Sequence, residues 1–207
     1  MSKKAQEKIP GWVAFKEGST EAFSALYFQY FKSLYEYGMR LCQDEDLVKD
    51  CIHDLFIKLW SNKSNLGNVS NIKSYLLVSL RGLIYDTFNS QRRRPATELE
   101  EDYHFEMVFS AESEWIDKEN FTQQTQGILD ALNQLTPRQK EVIYLRYFEE
   151  LSYEEIAEVM QLSVKATYKL VGRGMEALRE ILNVSKKTLL ILLVSTFMEV
   201  RQWLVVH

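Results

Sequence analysis

Lys165, Lys169 and Arg173 stand four residues apart, a spacing that lines three cations along one side of a helix. A row of cations suits one chemistry above others: ion pairs and hydrogen bonds to phosphates and base edges. Tyr168 borders the row and Ala166 follows its first member. The opposite side of the same stretch is apolar or small. Val164, Thr167, Val171, Gly174, Leu178 and Ile181 recur at helical spacing and read as its inward face.

The elements that must carry this row are legible around it. Ser163 can cap the helix. Upstream, Ser152 and Glu155 form a Ser-x-x-Glu capping box ahead of a helix with Ile156, Ala157 and Met160 inward. Gln161-Leu162-Ser163 is a short break, and small Ala157 would let the two helices cross closely. Two helices, a tight turn and a basic outer face have the layout of a helix-turn-helix, whose second helix enters the DNA major groove. Its early residues reach base edges and its later ones meet phosphate. Lys165, Ala166 and Lys169 are therefore expected near bases and Arg173 nearer the backbone, with Tyr168 open between contact and packing. The same spacing also fits the solvated face of any helical pair, and spacing alone leaves both readings standing.

The rest of the chain narrows the class. Eight glycines and three prolines in 207 residues, with long periodic segments, point to an all-α protein. A net charge of −4 argues against a protein that coats DNA unaided. Cys42 and Cys51 lack metal-ligand spacing and lie on apolar helical stretches, so they read as buried thiols in a reducing cytoplasm. His53, His104 and His207 are scattered. No metal, cofactor, small-molecule ligand or enzymatic activity is expected.

Helical periodicity starts at Gly18-Ser19-Thr20-Glu21 and continues through Phe23, Leu26, Tyr30 and Leu34. A second helix is expected from about Glu45 to Trp60. Residues 61–71 are Asn-rich and contain Gly67, so they read as a loop. Ser70 could cap a third helix that Pro95 ends after Arg92-Arg93-Arg94. These three helices make a first domain over residues 1–95. Residues 96–122 form an acidic linker, with nine acidic residues against Lys118, expected to be solvated or to lie in a partner's positive channel. A second domain spans 123–183, in which Thr136, Pro137 and Gln139 start a helix ahead of the helix-turn-helix. The tail, 184–207, is apolar but broken by Glu199, Arg201 and Gln202, short of the ~20 residues a membrane span needs. It is expected to pack on the second domain or on a partner, with membrane association as the lesser alternative.

Three segments, in order, resemble the sigma-70 family of bacterial sigma factors, in its small extracytoplasmic-function group. Asp50-Cys-Ile-His-Asp54-Leu-Phe56-Ile-Lys58-Leu-Trp60 resembles the helix that docks on the polymerase clamp. Ile72-Lys-Ser-Tyr-Leu76 through Arg81-Gly-Leu-Ile-Tyr-Asp86 is similar to the helix that reads and melts the −10 element. Leu135-Thr-Pro-Arg-Gln139 through Tyr147, with Leu151-Ser-Tyr-Glu-Glu-Ile-Ala157, resembles the domain that binds the −35 element. The wording SVKATYKLV resembles the Bacteroidetes-type branch. Gln161 stands where such turns often carry Gly, Gly82 where an Asn is common, and Tyr168 and Leu170 where many members are basic; these leave the promoter sequence open.

The resemblance implies a dissociable initiation subunit whose partners are core RNA polymerase and promoter DNA. Asp50, His53, Asp54 and Lys58 would dock on the clamp, with Phe56 and Trp60 in the core. Melting needs a pocket that bonds the edge of an extruded base. The amides of Asn68 and Asn71, with Ser70, suit that task. Lys73 and Arg81, eight residues apart, would steady the non-template strand. Arg92, Arg93 and Arg94 would meet phosphate, or else stabilise a helix C-terminus. The resemblance also implies an anti-sigma factor, often membrane-bound, and a linker threading toward the polymerase active centre. The alternative is a conventional helix-turn-helix regulator acting without polymerase, with an effector-binding first domain.

Overall fold

The computed structural model describes residues 10–67, 69–92, 104–107 and 123–206, and every regular element among them is helical. The chain divides into two compact units, Met1–Thr97 and Glu98–His207. The all-α expectation holds.

Among its described residues the first unit carries four α-helices: α1 (Pro10–Lys16), α2 (Thr20–Leu41), α3 (Glu45–Asn62) and α4 (Ile72–Arg92). Local chemistry starts the longer ones. The Ser19 hydroxyl accepts from the Ala22 N–H at 3.1 Å, and Asp44 Oδ1 accepts from the Leu47 N–H at 3.0 Å. Each satisfies a backbone donor that the first turn leaves orphaned. Ser70 does not cap α4: Asn71 does, its Oδ1 accepting from the Ser74 N–H at 3.3 Å. The helix begins at Ile72, so the N-cap position falls on Asn71. The core joins Leu34 and Tyr37 of α2, Val48, Ile52 and Leu55 of α3, and Leu76, Leu80 and Ile84 of α4. Gly38 lets α2 and α3 cross here: a Cβ on it would lie 2.7 Å from Val48 Cγ1.

α1 has no counterpart in the expectations from sequence, yet Trp12 and Phe15 are buried. At seven residues it is too short for periodicity to register. The Trp12 Nε1–H donates to the Gly67 carbonyl at 3.1 Å, and its ring meets Tyr75 edge-on at 5.7 Å. This helix therefore ties down the loop that leads into α4.

The second unit contains α5 (Gln123–Asn133), α6 (Pro137–Ile143), a π-helical turn (Tyr144–Phe148), α7 (Tyr153–Val159), α8 (Val164–Leu182) and α9 (Lys186–Val206). Both expected capping boxes form, Thr136 with Gln139 and Ser152 with Glu155. The Ser163 hydroxyl accepts from the Ala166 N–H at 3.2 Å and starts α8 as expected. In the core, the Tyr144 hydroxyl donates to Glu149 Oε1 at 2.6 Å, so neither buried polar group is left bare. Segment 104–107 departs from the solvated-linker expectation. Phe105 and Met107 are buried, and the Phe105 ring lies 5.6 Å from that of Tyr144. Two apolar residues in an acidic stretch are too few to show a period. The short helix expected near Trp115 lies outside the described residues.

The tail is helix α9. Leu189, Leu193 and Thr196 face the second unit, as one expected arrangement had it, while Ile191, Val194 and Met198 are exposed. Among the described residues no helix is long and apolar enough to cross a membrane.

Candidate nucleic-acid interface

α8 presents two faces with separate duties. Thr167, Val171, Gly174 and Leu178 are buried. Gly174 sets the approach to α6: a Cβ there would stand 3.3 Å from Ile143 Cγ1. The inward face is narrower than expected, because Val164 is 37% and Ile181 39% exposed. They lie at the two ends of α8, beyond the span its neighbours cover. Lys165, Lys169 and Arg173 are all exposed, and Ala166 is half-buried beside them. An outward row of three cations on a helix held by its other face can enter a groove without disturbing the core.

The turn between α7 and α8 is a tight αL cap. Gln161 has φ 55°, its N–H donates to the Glu158 carbonyl at 3.3 Å, and the Leu162 N–H donates to the Ala157 carbonyl at 2.8 Å. That pair of bonds defines the Schellman motif, in which glycine is the usual residue at this position. The departure from Gly at Gln161 is therefore borne in the backbone.

Tyr168 both packs and remains exposed. Its ring stacks on that of Tyr153, the first residue of α7, with centroids 3.8 Å apart and planes at 19°. The Arg146 guanidinium carbon lies 5.0 Å from the Tyr153 centroid, and Arg146 Nη1–H donates to the Leu151 carbonyl at 2.7 Å. Sequence reasoning missed Tyr153 and Arg146. A ring pair joining two helices is not encoded in the spacing of either one.

In the first unit, Asp50, His53, Asp54 and Lys58 are exposed along α3, while Phe56 is buried. Trp60 is half-buried, with Lys63 Nζ 4.2 Å from its ring centroid. Exposed Ile57 stands beside this row and, with Phe23, Ser24 and Trp60, lines a cleft of about 450 Å³. On α2, Phe28 is 79% exposed. Neither apolar residue stands out in the sequence, and neither belongs to the inward faces read from it.

Of the residues assigned to base extrusion, Ser70 is exposed, and half-buried Asn71 spends its Oδ1 on the α4 cap. Lys73 is half-buried. Arg81 is only 9% exposed, its guanidinium carbon 4.6 Å from the Tyr85 ring centroid, so it offers less free surface than the spacing suggested. Arg92 is the last residue of α4, and Asn68, Arg93 and Arg94 lie outside the described residues. Cys42 and Cys51 are buried free thiols, and burial pushes the Cys42 thiol up to about 11. Among the described residues no three His, Cys, Asp or Glu side chains cluster as a metal site would need.

Two helical units, the second a helix-turn-helix with a free cationic row, define a DNA-binding protein of two modules. Residues 26–94 match the model of Sigma-70 region 2 and residues 125–178 that of Sigma-70, region 4. These matches together span more than half of the chain, which belongs to the sigma-70 family. Similar proteins include the RNA polymerase sigma factor YlaC of Bacillus subtilis, 24% identical over 81% of this chain and 95% of that protein. The ECF RNA polymerase sigma factor SigX of the same organism is 24% identical over 82% of this chain and 88% of its own length. Other similar proteins are likewise named ECF RNA polymerase sigma factors. Among solved structures, the sigma factor RpoE in complex with the anti-sigma factor NepR from Bartonella quintana aligns with a TM-score of 0.56 at 22% identity, over 80% of this chain and 99% of that one. CnrH in complex with the cytosolic domain of CnrY also gives 0.56, at 21% identity, over 85% of this chain and 97% of that one. At these identities the likeness concerns the fold.

Proposed function

We propose that the chain directs core RNA polymerase to specific promoters, reading a −35 element through the second unit and a −10 element through the first, and promoting DNA melting. The observation that carries this reading is the free row Lys165, Lys169 and Arg173 on α8. It lies in a chain where region 2 precedes region 4. Lys165, Ala166, Tyr168 and Lys169 meet base edges and Arg173 the backbone. Asn68, Ser70 and Asn71 take the extruded base, with Lys73, Arg81 and Arg92 to Arg94 along the strand. Asp50, His53, Asp54 and Lys58 dock on the polymerase clamp.

The functional modules are residues 1–95 and 123–183, joined by the acidic stretch 96–122 and followed by the tail 184–207. The protein works in the cytoplasm, catalyses nothing itself, and is restrained by an anti-sigma factor. The complex of RpoE with the anti-sigma factor NepR supports that last assignment. The wording of the recognition helix supports a Bacteroidetes-type origin. Reconstituted transcription tests the proposal, using core polymerase from the source organism and a promoter library. Initiation from a defined subset of promoters is expected only when the chain is present, and failure at every promoter would refute it.

A further inference from the structure

The stack of Tyr153 and Tyr168 does more than join α7 to α8. Tyr168 stays 52% exposed although its ring lies 3.8 Å from that of Tyr153. An exposed tyrosine on a helix ordinarily exchanges between rotamers, and a parallel ring beneath it selects one. Tyr153 is itself steadied from the side of the π-helical turn, by the guanidinium of Arg146, which the Leu151 carbonyl pins. Val164 lies one turn before Tyr168 and is 37% exposed. The two form an apolar strip beside Lys165 and Lys169, in the first two turns of α8. In the major groove the apolar group that a base edge offers is the thymine C5-methyl.

We propose that Tyr153 is a positioning residue: by stacking on Tyr168 it holds the Val164–Tyr168 strip in the geometry that receives a thymine methyl of the −35 element. This deepens the function proposed above and rests on α8 entering the groove. Tyr168 then reads the base, and Tyr153 acts only through it.

Deoxyuridine provides the test, because it removes the methyl and keeps every hydrogen-bonding group of thymine. The probe is a promoter fragment selected from a random library by core polymerase carrying the full chain. Each thymine of its −35 element is replaced in turn, and the ratio of affinities for the thymine and uracil fragments is measured. The wild-type protein should bind one uracil fragment roughly fourfold more weakly, the worth of one buried methyl. Tyr168→Ala should bring that ratio to one, and so should Tyr153→Ala, although it leaves Tyr168 in place. Tyr153→Phe keeps the stack and should keep the ratio. A general loss of fold would weaken both fragments alike, so the ratio separates positioning from mere stability. A ratio of one at every thymine for the wild type, or an undiminished ratio in Tyr153→Ala, overturns the inference. Lys165→Ala with Lys169→Ala separates the two levels. If it loses promoter binding while no uracil effect exists, the tyrosine inference alone fails; if its binding is unchanged, the groove reading fails as well.

Discussion

Under the proposed function, single side chains divide into those that read and those that hold. Lys165 stands in the first turn of α8 and Arg173 two turns later, so their removal should differ in kind. Lys165→Ala should cost about 1–3 kcal/mol of promoter affinity and relax discrimination at one base pair. Arg173→Ala should weaken binding to all sequences about equally and shallow the salt dependence by about one unit of slope. Affinities of core polymerase with each variant, on matched and mismatched fragments at several salt concentrations, check both. Cys42 is a holding residue. Burial raises its thiol from 9.0 to about 11, so the folded state keeps the proton longer than the unfolded chain does. The resulting stabilisation is complete below pH 9 and lost as pH rises through about 11. Cys42→Ala should remove that part of the alkaline decline, and denaturation midpoints of the two proteins between pH 8 and 11 will show whether it does.

Helix ends were the most legible elements, because a cap is a local rule. Thr136, Ser152 and Ser163 all take the capping roles their sequence context implied, and a helix starts where Gly18 to Glu21 signalled one. The exception at the start of α4 is one of single-residue register, where Asn71 and Ser70 are chemically equivalent candidates. Features held by distant partners were not legible: α1 closes on Gly67, Phe105 on Tyr144, and Tyr168 on Tyr153. The candidate site divides in the same way, with its cations apparent from a four-residue spacing and the ring that steadies Tyr168 hidden. The turn before α8 offers an element-scale test. Gln161 adopts φ 55° without a glycine's freedom, so Gln161→Gly should stabilise the second unit by about 0.5–1 kcal/mol in urea unfolding. α9 offers another: Leu193 is fully buried and Ile191 is 69% exposed. Leu193→Ala should cost about 2–5 kcal/mol, whereas Ile191→Ala should change stability by less than about 0.5.

At the scale of the whole molecule, the net charge of −4 and the free cationic row express a division of labour. Under the proposed function the chain carries a local reader without the overall positive charge needed to hold DNA strongly alone. Promoter fragments should therefore bind the polymerase complex far more tightly than the isolated chain. Comparable affinity of the two in mobility-shift titrations would contradict that reading. The bond from Trp12 to Gly67 also bears on the order of synthesis. The residues of α1 leave the ribosome before the carbonyl that secures Trp12, which is made 55 positions later. At ~5–20 residues per second this is a wait of roughly three to eleven seconds. During it, a tryptophan and a phenylalanine destined for the core have no finished surface to join. Until then the apolar side of this seven-residue helix stays open to water, a cost set by the order in which its partners are made.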